Sequence, residues 1–339
     1  MLPCWEESAR RLIEFGRNYP EVVYPEVRDE TRRGREFERL KSELERSFLE
    51  CEFSGEIDQI LEEISQYRRL YRRVSEVYSI VGIVHSPEFG NFLKDYSKHL
   101  MHLVPVGDLV WERANLESFR RTGLQKVKGS IKTNLRTLYQ NFVVLSILVN
   151  FSPLEPEIIF PGQDYIKLKR RVKGEKKLKP NFVIEANEKK SSFFVEALLG
   201  FSGGPRPDIM IYARHIEDIW RQNEVGGIVP PDMIIECKEV QGWYERKSSS
   251  SIDAWWAEFY QRVGGIVRNN KVKVNELQIV KAYKEIYQPK EMFLVSKVNV
   301  PPQIRESLEE NDIKVIENTS FVENRLNAIN ECLTRLDSL

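Results

Sequence analysis

The sequence has few of the residues that build disulfide frameworks or metal-bound folds. Its four cysteines, Cys4, Cys51, Cys237 and Cys332, are spread over 339 residues with no CxxC or CxxH spacing, and there are only four histidines. We therefore expect neither a disulfide framework nor a zinc site, and a reducing compartment is the simpler interpretation.

Long apolar runs and an excess of one charge are also missing. The longest apolar run, residues 142–151, is too short to span a bilayer, and no basic-then-apolar signal segment opens the chain. Basic and acidic residues balance at 51 each, which excludes a uniformly basic nucleic-acid coat but permits a local basic patch. We expect a soluble cytoplasmic protein without membrane association.

The length favours two domains, and residues 1–150 have the pattern of a helical one. Residues 34–52 place apolar side chains on one helical stripe, and residues 135–151 are typical of a buried helix. A heptad seam follows the first stripe and is flanked by arginines at 68, 69, 72 and 73: Ile57, Ile60, Ile64, Tyr67, Tyr71, Val74, Tyr78 and Val81. The pattern favours a helical hairpin with a solvated charged face, and an arm for dimerisation or nucleic acid stays open.

Residues 160–339 alternate between helical and strand patterns, which predicts an α/β domain. We expect a helix at 191–200, strands at 209–213 and 233–237, and a helix at 251–267. A strand, helix, strand and helix then follow over residues 292–336. The two central strands are nearly continuous apolar runs, so both faces of each should be covered.

Charged residues end the second of these strands, in the run MIIECK. Glu236 and Lys238 point to the same face because side chains alternate along a strand. Asp208 opens the preceding strand directly after Pro207. If the two strands are neighbours, Asp208 and Glu236 converge on one side of the sheet.

Two converging carboxylates are the ligands that Mg²⁺ prefers, and the backbone carbonyl of Cys237 is a candidate third oxygen. The ion would activate a water for phosphodiester hydrolysis. Lys238 would orient or deprotonate that water and stabilise negative charge in the transition state. Glu196, on the expected helix at 191–200, would complete the metal site. The competing interpretation is a structural ion pair at a strand end.

The tripeptide (D/E)xK alone is not specific, because five copies occur, starting at Glu175, Glu188, Glu236, Glu245 and Asp312. Only the copy at Glu236 ends an apolar strand that is preceded by another apolar strand opening with Pro-Asp. A second Pro-Asp pair contains Asp232, which lies four residues before Glu236, about 13 Å away at strand rise and too far to share one ion. Context therefore selects Asp208 and Glu236.

Pro207-Asp208 with Glu236-Cys237-Lys238 and the helix acid Glu196 resembles the PD-(D/E)xK nuclease superfamily over residues 190–320. The resemblance implies a restriction-endonuclease-like mixed sheet flanked by helices, here preceded by a mainly helical domain. It implies a DNA endonuclease that uses Mg²⁺, with Mn²⁺ as a substitute, in restriction or defence. The alternatives are a repair or junction nuclease, and a non-catalytic nucleic-acid-binding assembly protein; RNA is the less favoured substrate. Cleavage of both strands would favour a homodimer.

Candidate contacts with the DNA backbone lie mainly in one basic segment, residues 167–179, which has eight Lys or Arg and one acid. Such a segment is often only a solvated edge, but it is also suited to binding phosphates. The candidate DNA-binding residues are Lys167, Lys169, Arg170, Arg171, Lys173, Lys176, Lys177, Lys179, Arg206 and Gln261.

Overall fold

Contacts divide the chain into two compact units. The computed structural model describes residues 4–23, 32–111, 115–151, 154–162, 164–168, 179–196, 206–219, 229–251, 261, 265–269 and 271–336. Unit 1 comprises Met1–Ser65 and Pro87–Thr137, and unit 2 comprises Gln66–Ser86 and Leu138–Leu339. The division falls within two long helices and not at residues 150–160, where the sequence analysis places the domain boundary.

Unit 1 is helical, because apolar residues recur every three or four positions along its segments. Its first helices are α1 (Cys4–Asn18), α2 (Pro20–Val23) and α3 (Arg32–Glu52), and α3 confirms the helix expected at 34–52. An aromatic cluster of Trp5, Phe48 and Phe119 lies in its core, with ring centroids 5.3–5.6 Å apart. The helices α5 (Pro87–Lys94), α6 (Tyr96–Met101) and α7 (Val106–Val110) complete it, together with parts of α4 (Ser54–Val77) and α8 (Leu116–Asn150).

One expectation about the cysteines is wrong for this unit. A disulfide joins Cys4 of α1 to Cys51 of α3, with their Cα atoms 6.3 Å apart. The residues are 47 positions apart, so spacing along the chain gave no sign of the pair, and only the packing of α1 against α3 brings them together. Cys237 and Cys332 are buried and take part in no disulfide.

Most of the heptad seam lies on α4 and is buried, but its last two positions, Tyr78 and Val81, lie beyond the end of this helix at Val77, and Val81 is 71% exposed. Ile60, Ile64, Tyr67 and Val74 are all at most 3% exposed, whereas the arginines at positions 68, 69, 72 and 73 are exposed. This favours the hairpin-like interpretation with a solvated face, because the seam is covered by the protein's own residues. No helix in the described ranges is both long and apolar enough to cross a bilayer.

Unit 2 is built around a mixed sheet, which has seven strands among the described residues, in the order β12-β11-β7-β6-β5-β4-β2. The strands are β2 (Glu157–Phe160), β4 (Phe182–Ala186), β5 (Lys189–Val195), β6 (Ile209–Tyr212), β7 (Met233–Lys238), β11 (Glu291–Ser296) and β12 (Lys314–Ile316). Each strand in the part of the sheet formed by β2, β4, β5, β6 and β7 is antiparallel to its neighbours there. β7, β11 and β12 are parallel. Every residue of β6 and β7 is buried, which confirms that both are central strands covered on two faces.

Smaller elements surround this sheet. β1 (Gly82–Val84) pairs in parallel with β3 (Tyr165–Lys167), and β8 (Lys247–Ser251), β10 (Lys271–Asn275) and β9 (Ile266–Arg268) form an antiparallel sheet. The helices α9 (Glu276–Tyr287), α10 (Pro302–Glu309) and α11 (Asn327–Leu336) complete the unit. A 3₁₀ helix, Glu323–Leu326, precedes α11 in the segment expected to be one helix.

Two helix predictions in this unit are corrected. Residues 191–195 belong to strand β5, because the backbone of this strand pairs with β4 on one side and with β6 on the other. Its aromatic and β-branched side chains suit a strand. In the expected helix at 251–267, Gln261 is helical but Ile266 and Val267 are in β9, and 252–260 lie outside the described residues. The sequence analysis also missed α9, which begins with a capping box formed by Asn275 and Gln278.

Candidate active site

The register of the two central strands places Asp208 beside Glu236. β6 and β7 are antiparallel with Ile209 opposite Ile235, so Asp208 and Glu236 occupy the next facing positions. The backbone N–H of Asp208 donates to Glu236 Oε2 at 3.2 Å, and that of Cys237 donates to Asp208 Oδ2 at 2.8 Å. The two carboxylates therefore converge at one end of the strand pair.

Cys237 contributes through its backbone. Its N–H faces Asp208, and the N–H and C=O groups of a strand residue point to the same side, so its carbonyl oxygen also faces the β6 side. The side chain is 1% exposed and lies on the opposite face from Glu236 and Lys238. This arrangement keeps the carbonyl as a candidate oxygen ligand and gives the thiol a packing role.

Lys238 lies on the same face as Glu236 and contacts two acids. Its Nζ is 2.9 Å from Glu236 Oε1 and 3.4 Å from Glu276 Oε2, and it lies 5.2 Å from the centroid of the Trp243 ring. Burial by itself lowers the pKa of Lys238, but the carboxylates of Glu236, Asp208 and Glu276 outweigh burial and raise that pKa above its ordinary value. The surroundings therefore favour the positively charged ammonium form.

Two of these contacts come from residues that the sequence analysis did not select. The side-chain amide of Gln140 on α8 donates to Asp208 Oδ1, and Glu276 opens α9 beside Lys238. Gln140 lies in a largely apolar stretch of helix that also contains Asn141 and Ser146, and it is 2% exposed. A polar residue in such a stretch was the available sequence signal, because a buried amide needs a polar partner. Glu276 had no comparable signal, since its helix was not predicted.

All three central residues are buried: Asp208 is 1%, Glu236 3% and Lys238 8% exposed. Buried charges at a strand end are costly unless they are paired and hydrogen-bonded, and here every carboxylate oxygen accepts at least one hydrogen bond.

The donor chemistry fits a hard divalent cation. Two carboxylates and a backbone carbonyl are oxygen ligands, and Mg²⁺ usually takes one or two carboxylates and keeps several waters. Among the residues that the structure describes, no group of three or more His, Cys, Asp or Glu side chains is arranged to hold a metal. A magnesium ion at this position would therefore be held by two side-chain carboxylates and completed by other oxygens.

Glu196 is not where the sequence analysis placed it. It directly follows strand β5 and does not lie on a helix, because residues 189–195 pair with β4 and β6. Its backbone has a positive φ of 44°, and its N–H donates to the backbone carbonyl of Asp208 at 2.8 Å. Glu196 is thus next to Asp208 through the backbone, and its role as a ligand stays a prediction.

The other (D/E)xK copies are in different surroundings. Glu188 lies in the exposed turn between β4 and β5, Glu245 in a 3₁₀ helix, and Asp312 in a turn where it pairs with Lys284. Glu175 lies outside the described residues. Among the described copies, only Glu236 is inside a buried strand, which supports the choice made from sequence context.

Most candidate DNA contacts cannot be placed. Lys167 at the end of β3, Lys179 and Gln261 are exposed, and Arg206 is half-buried with its backbone carbonyl accepting a hydrogen bond from the Tyr283 hydroxyl. Lys169, Arg170, Arg171, Lys173, Lys176 and Lys177 lie outside the described residues, so the basic segment stays a prediction from sequence.

Comparison of the chain with protein-family models, with curated proteins and with solved structures finds no match in any of the three.

Proposed function

We propose that this protein is a Mg²⁺-dependent DNA endonuclease of the PD-(D/E)xK type. The observation that carries the proposal is the facing pair Asp208 and Glu236 on adjacent central strands, with Lys238 on the same face of β7 as Glu236. Phosphodiester hydrolysis needs a metal held by hard oxygens and positive charge close to the phosphate. Both requirements are matched by residues at this one strand end.

The sheet topology supports the same proposal. β5, β6 and β7 form an antiparallel meander, and β11 then returns parallel to β7 after the chain passes through α9. A mixed sheet with helices in its connections agrees with the sheet that the resemblance implies. In the proposal, the acids at the junction of the second and third meander strands form the reaction centre.

In this proposal the residues of the site have three roles: metal binding, charge stabilisation and positioning. Asp208, Glu236 and the Cys237 carbonyl would hold Mg²⁺, and the bound ion would supply an activated water and neutralise charge on the phosphate. Lys238 carries its positive charge toward the phosphate oxygens, where negative charge increases in the transition state. Gln140 and the Cys237 N–H fix the orientation of the Asp208 carboxylate, and Glu276 helps to hold the Lys238 ammonium.

The first experiment is a cleavage assay on supercoiled, linear and branched DNA, each with Mg²⁺ and with EDTA. Mg²⁺-dependent nicking or linearisation of supercoiled DNA supports the endonuclease. Cleavage restricted to branched DNA would instead favour a junction or repair nuclease, and cleavage that persists in EDTA would contradict the metal role.

Metal binding can be measured separately from cleavage. A ligand that binds only the native state raises stability by about 2.7 kcal/mol at 100 times its Kd, so Mg²⁺ should raise the Tm of the wild-type protein. The same addition should leave the Tm of an Asp208→Asn variant unchanged. Equal Tm shifts in the two proteins would place the metal elsewhere.

A further inference from the structure

The first half of α8 is unusual in its charge. Residues 118–154 contain six Lys or Arg and no Asp or Glu. The neighbouring helix α3 also has six basic residues, but it interleaves them with six glutamates. Several of those basic residues form ion pairs, as Arg39 does with Glu36 and Lys41 with Glu38. The two helices therefore have similar numbers of cations but different net charge.

Four of the α8 cations lie on one side of the helix. At 100° per residue, positions 121, 128, 132 and 136 fall within an arc of about 80°. We call this set the α8 stripe: Arg121, Lys128, Lys132 and Arg136. All four side chains are exposed, so the stripe faces solvent within unit 1.

Three of the four stripe cations are not paired with any described acid. Within the described residues, Arg121, Lys128 and Lys132 form no ion pair. Two acids lie close along the chain or in space. Glu52 acts on Lys128 through space but is itself held in a two-pronged contact by Arg120, off the stripe. Glu117 lies in the first turn of α8, one turn before Arg121, and forms no ion pair with it. Gln125, Gly129 and Thr133, which lie beside the basic positions, are uncharged.

The spacing suits a polyanion with regularly repeated charges. A helix rises 1.5 Å per residue, so Arg121 and Arg136 are about 22 Å apart along the axis, and Lys132 lies about 6 Å from both Lys128 and Arg136. One DNA strand carries a phosphate every 3.4 Å of the duplex axis, so the stripe spans about six or seven phosphates. A small anion would need one or two of these cations, not a row of four.

We infer that the α8 stripe is a sequence-independent binding surface for the phosphate backbone of DNA. The inference rests on the proposed function only in taking DNA, and not another polyanion, as the partner. It assigns phosphate binding to described residues of unit 1, in addition to the basic segment predicted at 167–179. Lysines and arginines that bind phosphates release counterions, so their contribution must depend steeply on salt.

The test is DNA affinity measured in EDTA, where no cleavage occurs, by fluorescence anisotropy of a labelled duplex over a series of salt concentrations. The stripe variant carries Arg121→Gln, Lys128→Gln and Lys132→Gln, since glutamine keeps helix propensity while removing charge. The matched control carries Arg32→Gln, Arg35→Gln and Arg46→Gln, which removes three exposed arginines from the acid-interleaved helix α3.

We expect the stripe variant to lose at least about tenfold in affinity at low salt, and its log–log salt slope to fall by about 0.9 per lost contact. The control should stay within about threefold of wild type with an unchanged slope. Equal losses in both variants, or none in the stripe variant, would overturn the inference. If the triple variant does not fold, Lys128→Gln and Lys132→Gln singly should each lower the slope by about 0.9.

Failure of the nuclease proposal gives a different result. If the wild-type protein binds DNA through the stripe but never cleaves it with Mg²⁺, the inference about the stripe stands and the endonuclease proposal is wrong. A wild-type protein that binds no DNA in EDTA overturns the stripe, whatever its activity. Binding to phosphatidylserine vesicles in place of DNA would also overturn it, by identifying a different anion.

Discussion

The two ends of the β6–β7 strand pair each bury an aspartate that follows a proline, but they use it differently. At one end, Asp208 faces Glu236, and the ammonium of Lys238 lies between Glu236 and Glu276. At the other end, Asp232 Oδ2 accepts a hydrogen bond from the backbone N–H of Ala213 at 2.8 Å, and Asp232 Oδ1 forms an ion pair with Lys290 Nζ, also at 2.8 Å.

The difference shows when a buried acid suggests chemistry. Asp232 has one cation and one backbone donor, an arrangement that anchors a loop and the start of a strand. Asp208 instead shares its strand end with a second buried carboxylate, and two adjacent carboxylates are costly to keep together for stability alone. The convergence of acids, more than the burial of any one of them, distinguishes the candidate site.

The largest effect expected from this comparison is on Mg²⁺-dependent cleavage. Asp208→Asn keeps the shape of the side chain but removes a charged ligand, so cleavage should fall to background. Asp232→Asn is the matched change at the other end and should keep the wild-type rate per folded molecule. A cleavage time course on supercoiled DNA measures both, and equal activity in the two variants would break the comparison.

The second-largest expected effect is the difference in cleavage rate between substitutions of two lysines, Lys238 and Lys290. Lys238→Ala removes a fixed positive charge at the reaction centre, and such a loss typically costs about 10²–10³ in rate. Lys290→Ala, at the other end, should remain within about twofold of wild type. Raising Mg²⁺ should not restore the Lys238→Ala rate, because the metal ligands are intact. A Lys238→Ala protein that cleaves normally would reduce Lys238 to a structural partner of Glu236.

Another buried acid, Glu45 in unit 1, has a raised pKa and should make the stability of the protein depend on pH. Burial raises the pKa of Glu45 to about 7 from 4.5, although Lys41 acts in the opposite direction. The folded state then binds more protons than the unfolded state between pH 4.5 and about 7, so this residue's contribution to stability falls as pH rises through that window.

Glu45→Gln should therefore stabilise the protein at pH 8 by about 2–3 kcal/mol relative to its effect at pH 5. Urea unfolding of both proteins at the two pH values measures this difference. If the variant and wild type show the same change in unfolding free energy between the two pH values, Glu45 is ionised in the folded protein.

The smallest effects concern the stability of the Asp232 end. Asp232→Ala leaves the Ala213 N–H without its acceptor and should cost about 1–2 kcal/mol. Lys290 is 58% exposed, so Lys290→Ala should cost less than about 1 kcal/mol. Thermal unfolding of the two variants compares them directly. A larger loss for Lys290→Ala would mean that the ion pair, and not the backbone hydrogen bond, anchors this end.

Much of the site could be predicted because its signals are local. The runs IMIY and MIIECK are apolar enough to predict buried central strands, and alternation along a strand puts Glu236 and Lys238 on one face. The residues that complete the surroundings come from distant segments: Gln140 lies 68 positions before Asp208, and Glu276 lies 38 positions after Lys238. No local pattern specifies such contacts.

The errors have the same origin. The segment SSFFV before Glu196 has no decisive periodicity, and pairing with β4 and β6 made it a strand. Cys4 and Cys51 lack any recognisable spacing, and the packing of α1 on α3 joined them. The helix α3 and most of α4, in contrast, followed from apolar repeats within each segment, although the repeat predicted for α4 continues to Val81, four residues past the end of the helix.

The sequence by itself determined which segments are apolar enough to be buried and which faces carry charge, because periodicity is a property of adjacent residues. That was sufficient for α3, α4, α8, β6 and β7, and for the shared face of Glu236 and Lys238. The tertiary structure alone decided that β6 and β7 are neighbours in the register that sets Asp208 opposite Glu236, because strand register depends on pairing between segments far apart in the chain.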